Sequence, residues 1–142
     1  MHSDLDIIST ILFNIQTDQI RIATLLDTVI SPSLRDLLNR QSGILHSIGI
    51  QAHCLASQRG WDIREISPWR SFLIRKRICR SLRFRNSDSE LAAMMIINYT
   101  QAMIRSLQLG GHPKEGISEI EILSQRYLDR ISESIGQLKQ FL

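Results

Sequence analysis

Four stretches of the chain carry apolar residues at alternating spacings of three and four positions, and this pattern constrains the fold more than any other feature. The first stretch shows it at Leu5, Ile8, Leu12, Ile15, Ile22, Leu26 and Val29, with a break at Gln19. This spacing places the apolar side chains on one side of a helix, which must be buried against other helices. The sequence therefore predicts an all-α protein built on four long helices.

Serine, proline and glycine mark the ends of these helices. Ser31-Pro32 ends the first helix at about Ile30, because the residue before a proline disfavours helical geometry. Gly60 supplies a left-handed cap for the second helix. Ser87 and Glu90 form a capping box at the start of the third. The predicted helices span about residues 3–30, 31–60, 87–109 and 118–142.

The crossover covers about residues 61–86 and separates the helices into two pairs. A very short link makes the first two helices antiparallel neighbours, and the long crossover makes the second and third helices parallel. Within it, Ser67-Pro68 predicts a shorter helix from Pro68 to about Phe84. We expect one domain over residues 1–142, a four-helix bundle of two antiparallel hairpins joined by this crossover.

The crossover also concentrates the positive charge. From Arg64 to Arg85 it holds eight basic residues against Glu65, a charge of +7, so the rest of a chain of +3 carries −4. The candidate anion-binding residues, for nucleic acid or an anionic membrane surface, are Arg70, Arg75, Lys76, Arg77, Arg80, Arg83 and Arg85. Alternatively, these cations pair with acids of the bundle or of a second subunit.

The short helix of the crossover separates its faces poorly. Trp69 and Leu73 project to one side, whereas Ile74 and Ile78 point nearly opposite. We expect Trp61 and Trp69 to close one end of the bundle.

The third helix is apolar around too much of its circumference to have a single neighbour. Besides its core face it carries a second stripe, formed by Ala93, Ile97 and Ile104. It is therefore either the most buried helix or an interface, and we predict self-association through this stripe.

No catalytic or metal-binding constellation stands out. A ferritin-type dimetal centre needs a Glu from each of two helices and Glu-x-x-His from each of the other two. No histidine here follows a glutamate at that spacing, and the first helix offers Asp18 and Asp27 but no glutamate. His46 and His53 lie two turns apart, about 10 Å along a helix, which is too far to chelate one ion unaided. We expect no metal, no cofactor and no enzymatic activity.

Cysteine and glycine positions predict only structural roles. Cys54 and Cys79 lack the spacing of a zinc or redox motif, so we expect two buried, reduced thiols. Gly43 and Gly49 inside the second helix suggest that a neighbouring backbone comes close there.

The apolar segments of the chain indicate where in the cell the protein is expected. Asp4 and Asp6 precede the first run, which argues against a secretory signal. No run approaches the roughly 18 apolar residues needed to cross a bilayer. We expect a soluble cytoplasmic protein.

Several stretches resemble the ferritin-like superfamily, in particular small uncharacterised four-helix proteins of sporulating bacteria and, more loosely, the spore coat F family. The resemblance rests on residues 33–38, His46, Gly60-Trp61 with Pro68, residues 87–96 and residues 138–142. It implies a ferritin-like fold and a sporulation or spore-associated context, and it implies no substrate.

These observations favour a non-catalytic structural or protein-interaction bundle that forms a homo-oligomer or joins a larger assembly. The first alternative is a module that binds nucleic acid or anionic lipid through the crossover. The second is a degenerate metal or redox enzyme.

Overall fold

The computed structural model describes residues 3–28, 30–82, 87–109 and 118–142. Its helices are α1 (Asp4–Leu26), α2 (Pro32–Gln58), α3 (Pro68–Leu82), α4 (Asp88–Leu109) and α5 (Glu119–Leu138), followed by a 3-10 helix over Lys139–Phe141. Within these ranges no residue belongs to a β-strand. The predicted all-α fold class is thus confirmed.

Each of the five helices begins with a serine whose hydroxyl accepts a hydrogen bond from the backbone amide three residues later. The distance is 3.2 Å in every case. Such a cap contributes about 1 kcal/mol, because that amide has no partner inside the helix. The capping serines are Ser3, Ser31, Ser67, Ser87 and Ser118. The predicted starts at Ser3, Ser67, Ser87 and Ser118 are confirmed. For the second helix the sequence allowed Ser31 or Ser33, and Ser31 is the cap.

The helix ends were predicted less well. Gly60 has φ of 72° and ends α2 as expected. In contrast, α1 ends at Leu26, earlier than the predicted end at about Ile30. The guanidinium of Arg35, in the first turn of α2, donates to the carbonyls of Leu26 at 2.8 Å and Thr28 at 3.4 Å. These carbonyls find partners on the next helix, so the chain can leave the helix early.

Polar contacts between helices give their directions. Arg59 at the end of α2 forms an ion pair of 3.3 Å with Asp4 at the start of α1, so α1 and α2 are antiparallel. The Ser31 amide, between α1 and α2, donates to Asp88 at the start of α4 at 3.2 Å. The N-termini of α2 and α4 therefore lie together, and Asn14 of α1 contacts the later half of α4. Consequently α2 and α4 run parallel to each other and antiparallel to α1.

The direction of α5 follows in the same way. Gln41 of α2 donates to the carbonyl of Ser134 at 3.3 Å, and Arg126 donates to Gln51 at 2.9 Å. Residues that come later in α2 thus meet residues that come earlier in α5. These two helices are antiparallel, and α5 also packs against α4 and α1.

The core lies between the four long helices and is densest around α1, which packs against α2, α3, α4 and α5. Burial of each large apolar side chain contributes roughly 1.5–3 kcal/mol. Among the fully buried side chains are Ile8, Leu12, Ile22, Leu25, Leu34, Leu38, Met95, Tyr99, Ile120, Tyr127 and Ile131. None of the helices in the described ranges combines the length and apolar character needed to cross a membrane.

The crossover helix α3 packs on α1 through one side only. Ile78 is buried and Ile74 is half-buried against the core, whereas Trp69 and Leu73 are exposed. The two apolar sides predicted from the sequence are thus an inward side and a solvent-facing side. Of the two tryptophans expected to close the bundle, only Trp61 packs against the core, so this prediction is wrong for Trp69.

Two further expectations are wrong. Cys54 and Cys79 are free but exposed, not buried, since both lie on helix faces turned away from the core. Gly43 is also exposed, and a Cβ at that position would meet nothing within 4 Å. A Cβ at Gly49 would meet only the Ile15 side chain, at 3.6 Å. No neighbouring backbone therefore requires either glycine.

We predict that Gly43→Ala raises the free energy of unfolding by about 1 kcal/mol, because alanine is favoured over glycine in a helix interior. Gly60→Ala is the matched control, since a side chain at its positive φ costs about 1 kcal/mol or more. Urea denaturation of the two variants should show shifts of opposite sign. A destabilised Gly43→Ala protein would reveal a close contact at this position.

Candidate functional site

A layer of buried polar side chains crosses the largely apolar core. Each of the four long helices contributes to it. The side chains of the layer are 0–1% exposed and belong to Asn14 and Asp18 of α1, Gln41 of α2, Tyr99 of α4 and Tyr127 of α5. Buried polar groups are costly unless they are hydrogen-bonded, so each one calls for a partner.

Gln41 connects three helices. The Tyr99 hydroxyl donates to Gln41 Oε1 at 2.9 Å, and Gln41 Nε2 donates to the Ser134 carbonyl at 3.3 Å. A weaker bond joins Gln41 Nε2 to Gln137 Oε1 at 3.4 Å. Both ends of the Gln41 amide therefore have partners, which identifies this part of the layer as a structural link.

Asn14 connects α1 to α4. Its Nδ2 donates to the Ala102 carbonyl and to the Ser106 hydroxyl, both at 3.2 Å. Its Oδ1 accepts from Nε of Arg105 at 3.0 Å. The arginine, which is half-buried, thus reaches from the surface toward the core.

Asp18 supplies the buried carboxyl group of the layer, and its two oxygens differ in their hydrogen bonding. Its Oδ1 accepts from Arg21 at 3.0 Å, whereas its Oδ2 has no hydrogen-bond partner among the described residues. Burial raises the pKa of Asp18 to about 7, although the charges of Arg21 and Arg105 act in the opposite direction. This carboxyl group therefore gains and loses its proton near neutral pH.

Two tyrosines of the layer are affected by the charge of that carboxyl group. Burial raises the pKa of both Tyr99 and Tyr127, and the charge of Asp18 raises both further. The Tyr127 hydroxyl has no partner at hydrogen-bonding geometry in the described part of the chain, although nearby Asn14 and Arg105 partly offset the rise of its pKa. The burial of Asp18 and of both phenols leaves a substrate no access to these groups.

The core-facing stripes predicted from the sequence include Gln41, Tyr99 and Tyr127, whereas Asn14 and Asp18 were missed. The pattern placed the break in the first apolar stripe at Gln19, whereas Asp18 is the residue that faces the core. Asp18 lies three positions after Ile15 and four before Ile22, so the same three-four spacing includes it. That spacing was the signal that could have revealed it.

The histidines that the sequence considered as ligands do not come together with acids. His46 and His53 are both exposed on α2, and His112 lies outside the described residues. Over the described ranges, no group of three His, Cys, Asp or Glu side chains is placed to hold a metal ion. Asp27 is exposed at the end of α1 and is separate from the buried layer.

Five of the seven candidate anion-binding residues are described, and all five are exposed on α3. They are Arg70, Arg75, Lys76, Arg77 and Arg80. The other two, Arg83 and Arg85, lie outside the described residues. Within the described ranges the ion pairs join Arg21 to Asp18, Arg59 to Asp4 and Arg130 to Glu133, so no cation of α3 pairs with an acid there.

The stripe predicted as an interface lies on the outer side of α4. Ile97 and Ile104 are 52% and 49% exposed, and Ala93 is half-buried. Leu107, which the sequence assigned to the core, is 55% exposed and extends the same side. The alternative that this helix is the most buried one is therefore wrong, because α1 has more buried residues than α4.

A surface pocket of about 430 Å³ lies between α1 and α4. Its walls are formed by Ser9, Thr10, Phe13, Arg105, Gln108 and Leu109. The guanidinium of Arg105 lies 5.9 Å from the centre of the Phe13 ring, and that of Arg70 lies 5.0 Å from it. The pocket is open to solvent, whereas the Asp18 carboxyl group is not.

Comparisons with protein families, with curated proteins and with solved structures found nothing that matches this chain.

We predict that Asp18→Asn changes how stability depends on pH. A raised pKa in the folded state stabilises the protein fully below the ordinary value of 3.8, and this contribution is lost as the pH rises through about 7. The neutral amide avoids this loss. At about pH 8 the variant should be the more stable protein, by up to about 4 kcal/mol at 1.36 kcal/mol per pKa unit.

The measurement is the free energy of unfolding of both proteins between about pH 4 and pH 8. Asp36→Asn, at an exposed position on α2, is the matched control. The difference between Asp18→Asn and the parent should grow with pH, whereas that of the control should stay constant. Parallel pH curves for Asp18→Asn would contradict a raised pKa.

Proposed function

We propose that the chain forms a single ferritin-like four-helix bundle over residues 1–142 and acts without catalysis as a structural or protein-interaction protein. The helix directions support the ferritin-like arrangement. Two antiparallel hairpins, α1 with α2 and α4 with α5, are joined by one long crossover, and α2 and α4 are parallel. This connectivity is typical of ferritin-like folds.

The polar layer supports a non-catalytic role. A dimetal centre of such a bundle needs several inward carboxylates and two histidines. The inward groups at this level are instead two amides, two phenols and the single carboxyl group of Asp18. These donors suit hydrogen bonds between helices, and they provide too little negative charge for two hard cations.

The proposed protein-interaction role rests on the outer side of α4. Residues 91–104 contain no charged side chain, although this stretch forms nearly four turns of a helix whose outer side is exposed. Exposed isoleucines normally occur singly, whereas Ile97, Ile104 and Leu107 lie along one side. We call this side the α4 face, and we infer that it is covered in the working protein.

A second copy of the chain is the partner that suits the α4 face. The face has no charge to select a partner of opposite sign, and it offers apolar side chains that match themselves. A two-fold axis through the face would pair the same residues from both copies, as in most homodimers. The resemblance to proteins of sporulating bacteria adds a cytoplasmic or spore-associated setting to this proposal.

We predict that Ile97→Glu with Ile104→Glu lowers the oligomer mass in light scattering, because buried carboxylates at an apolar interface cost several kcal/mol. Helicity by circular dichroism should be retained, since both positions are exposed in the single chain. Ile50→Glu is a matched control for Ile97→Glu, because both isoleucines are 52% exposed. An unchanged mass for the double variant would remove the α4 face from the proposal.

The metal-enzyme alternative has its own test. We expect elemental analysis of the purified protein to find iron, manganese and zinc well below one ion per chain. A stoichiometric metal that disappears in Asp18→Asn would place the ion in the polar layer and overturn the non-catalytic proposal.

A further inference from the structure

The solvent-facing side of α3 combines an apolar patch with cations, and we call it the α3 face. Trp69, Phe72 and Leu73 are 68%, 51% and 46% exposed. Their spacing places them next to one another on a helix. The Trp69 and Phe72 rings stack with centres 5.7 Å apart. Together they form a continuous apolar patch.

The docking of α3 determines which of its sides faces the solvent. Ile78 is buried and Ile74 is half-buried, and both pack on the side that meets α1. At 100° per residue, Trp69 lies on the opposite side of the helix from Ile78. The hydroxyl of Ser67 caps the first turn, and the Arg70 guanidinium lies 5.0 Å from the Phe13 ring of α1. The apolar patch is therefore held outward by contacts on the opposite side.

Cations continue the same face toward the end of the helix. Lys76 and Arg80 follow Trp69 by about two and three helical turns, and Arg75 and Arg77 lie to either side. All four are exposed. No acid occurs in Pro68–Leu82, and no cation of this helix pairs with an acid within the described part of the chain. The Nζ of Lys76 lies 5.8 Å from the Phe72 ring, so charge and apolar patch adjoin.

We propose that the α3 face binds the surface of a membrane that contains anionic lipids. Aromatic and aliphatic side chains gain free energy at the boundary between headgroups and acyl chains, where Trp is especially favoured. Nearby lysines and arginines then meet the lipid phosphates. The α3 face offers both parts in one plane, and the unpaired cations supply the matching charge. This role is independent of self-association through the α4 face.

The apolar patch favours a membrane over nucleic acid. Proteins that hold single strands use aromatic rings with a free surface on which bases stack. Here Trp69 and Phe72 stack on each other, and Leu73 has no aromatic ring. Binding to a phosphate backbone would use the cations and leave the patch in water. A membrane surface removes the patch from water and neutralises the cations at the same time.

The first experiment measures binding of the full chain to phosphatidylcholine vesicles with and without phosphatidylglycerol. Trp61→Phe leaves Trp69 as the single tryptophan, so its emission reports on the α3 face directly. We expect co-sedimentation with the anionic vesicles, a blue shift of Trp69 emission, and weaker binding as salt is added. Equal binding to vesicles without phosphatidylglycerol would overturn the proposal.

The second experiment separates the charges of the α3 face from charge in general. Lys76→Gln with Arg80→Gln should lower the vesicle partition constant at least tenfold, since each cation near an anionic surface contributes about fivefold. Arg40→Gln with Arg126→Gln removes the same charge from exposed positions on α2 and α5. This control should lose much less binding. Equal losses in the two variants would overturn the proposal.

The third experiment tests the apolar patch. Trp69→Ser with Leu73→Ser should lower vesicle binding at least tenfold with helicity retained, because both side chains are exposed. Ile50→Ser with Ile122→Ser, at positions that are each 52% exposed, is the control and should bind as the parent does.

Two results with the Trp69→Ser, Leu73→Ser variant would overturn the proposal in favour of another partner. The first result is that the parent binds a DNA or RNA oligonucleotide more tightly than vesicles, and that the variant binds this oligonucleotide as tightly as the parent does. The α3 face would then be a nucleic-acid-binding surface. The second result is that the parent does not bind vesicles and that the variant has a lower oligomer mass in light scattering. A second copy of the chain would then cover the apolar patch of α3.

Discussion

The enclosure of α1 determines where polar groups can lie inside the bundle. This helix packs against all four of the others, and side chains such as Ile8 and Leu25 are completely buried. The sides of such a helix that face its neighbours have no access to water. Asn14 and Asp18 lie on such sides, and their side chains therefore bond to Ser106 and Arg105 of α4 and to Arg21 of α1. The same enclosure brings α3 onto α1 and turns the apolar patch of α3 outward.

Apolar contacts alone would tolerate small shifts of one helix along another, whereas the polar layer does not. The bonds from Asn14 reach two groups of α4, and those of Gln41 join α4 and α5 to α2. A shift by one turn would leave a buried amide without a partner, at a cost of about 1–3 kcal/mol. The layer thus selects one register of the helices. The burial of Asp18 in this layer raises the pKa of its carboxyl group to about 7.

The helix starts and the all-α class could be predicted from the sequence because they depend on residues that are close together in the chain. A serine cap depends on residues three positions apart, so the helix starts could be predicted, and the three-four spacing was enough for the all-α class. The spacing from Ile15 to Ile22 includes Asp18, but a carboxyl group is seldom buried, and only the surrounding helices decide whether Asp18 or its neighbour Gln19 faces the core. For the same reason, the sequence showed two apolar sides on α3 without showing that Ile78 would be the one to face α1.

The two exposed faces differ in a way that links them. The α4 face is uncharged, so a second copy can cover it without neutralising anything on α3. A pair formed through the α4 face would carry two α3 faces, each with five cations and no acid in Pro68–Leu82. If both α3 faces reach one anionic surface, the pair binds it as a bivalent unit with a higher effective affinity than a single chain. Surface binding therefore does not require self-association, but self-association would strengthen it.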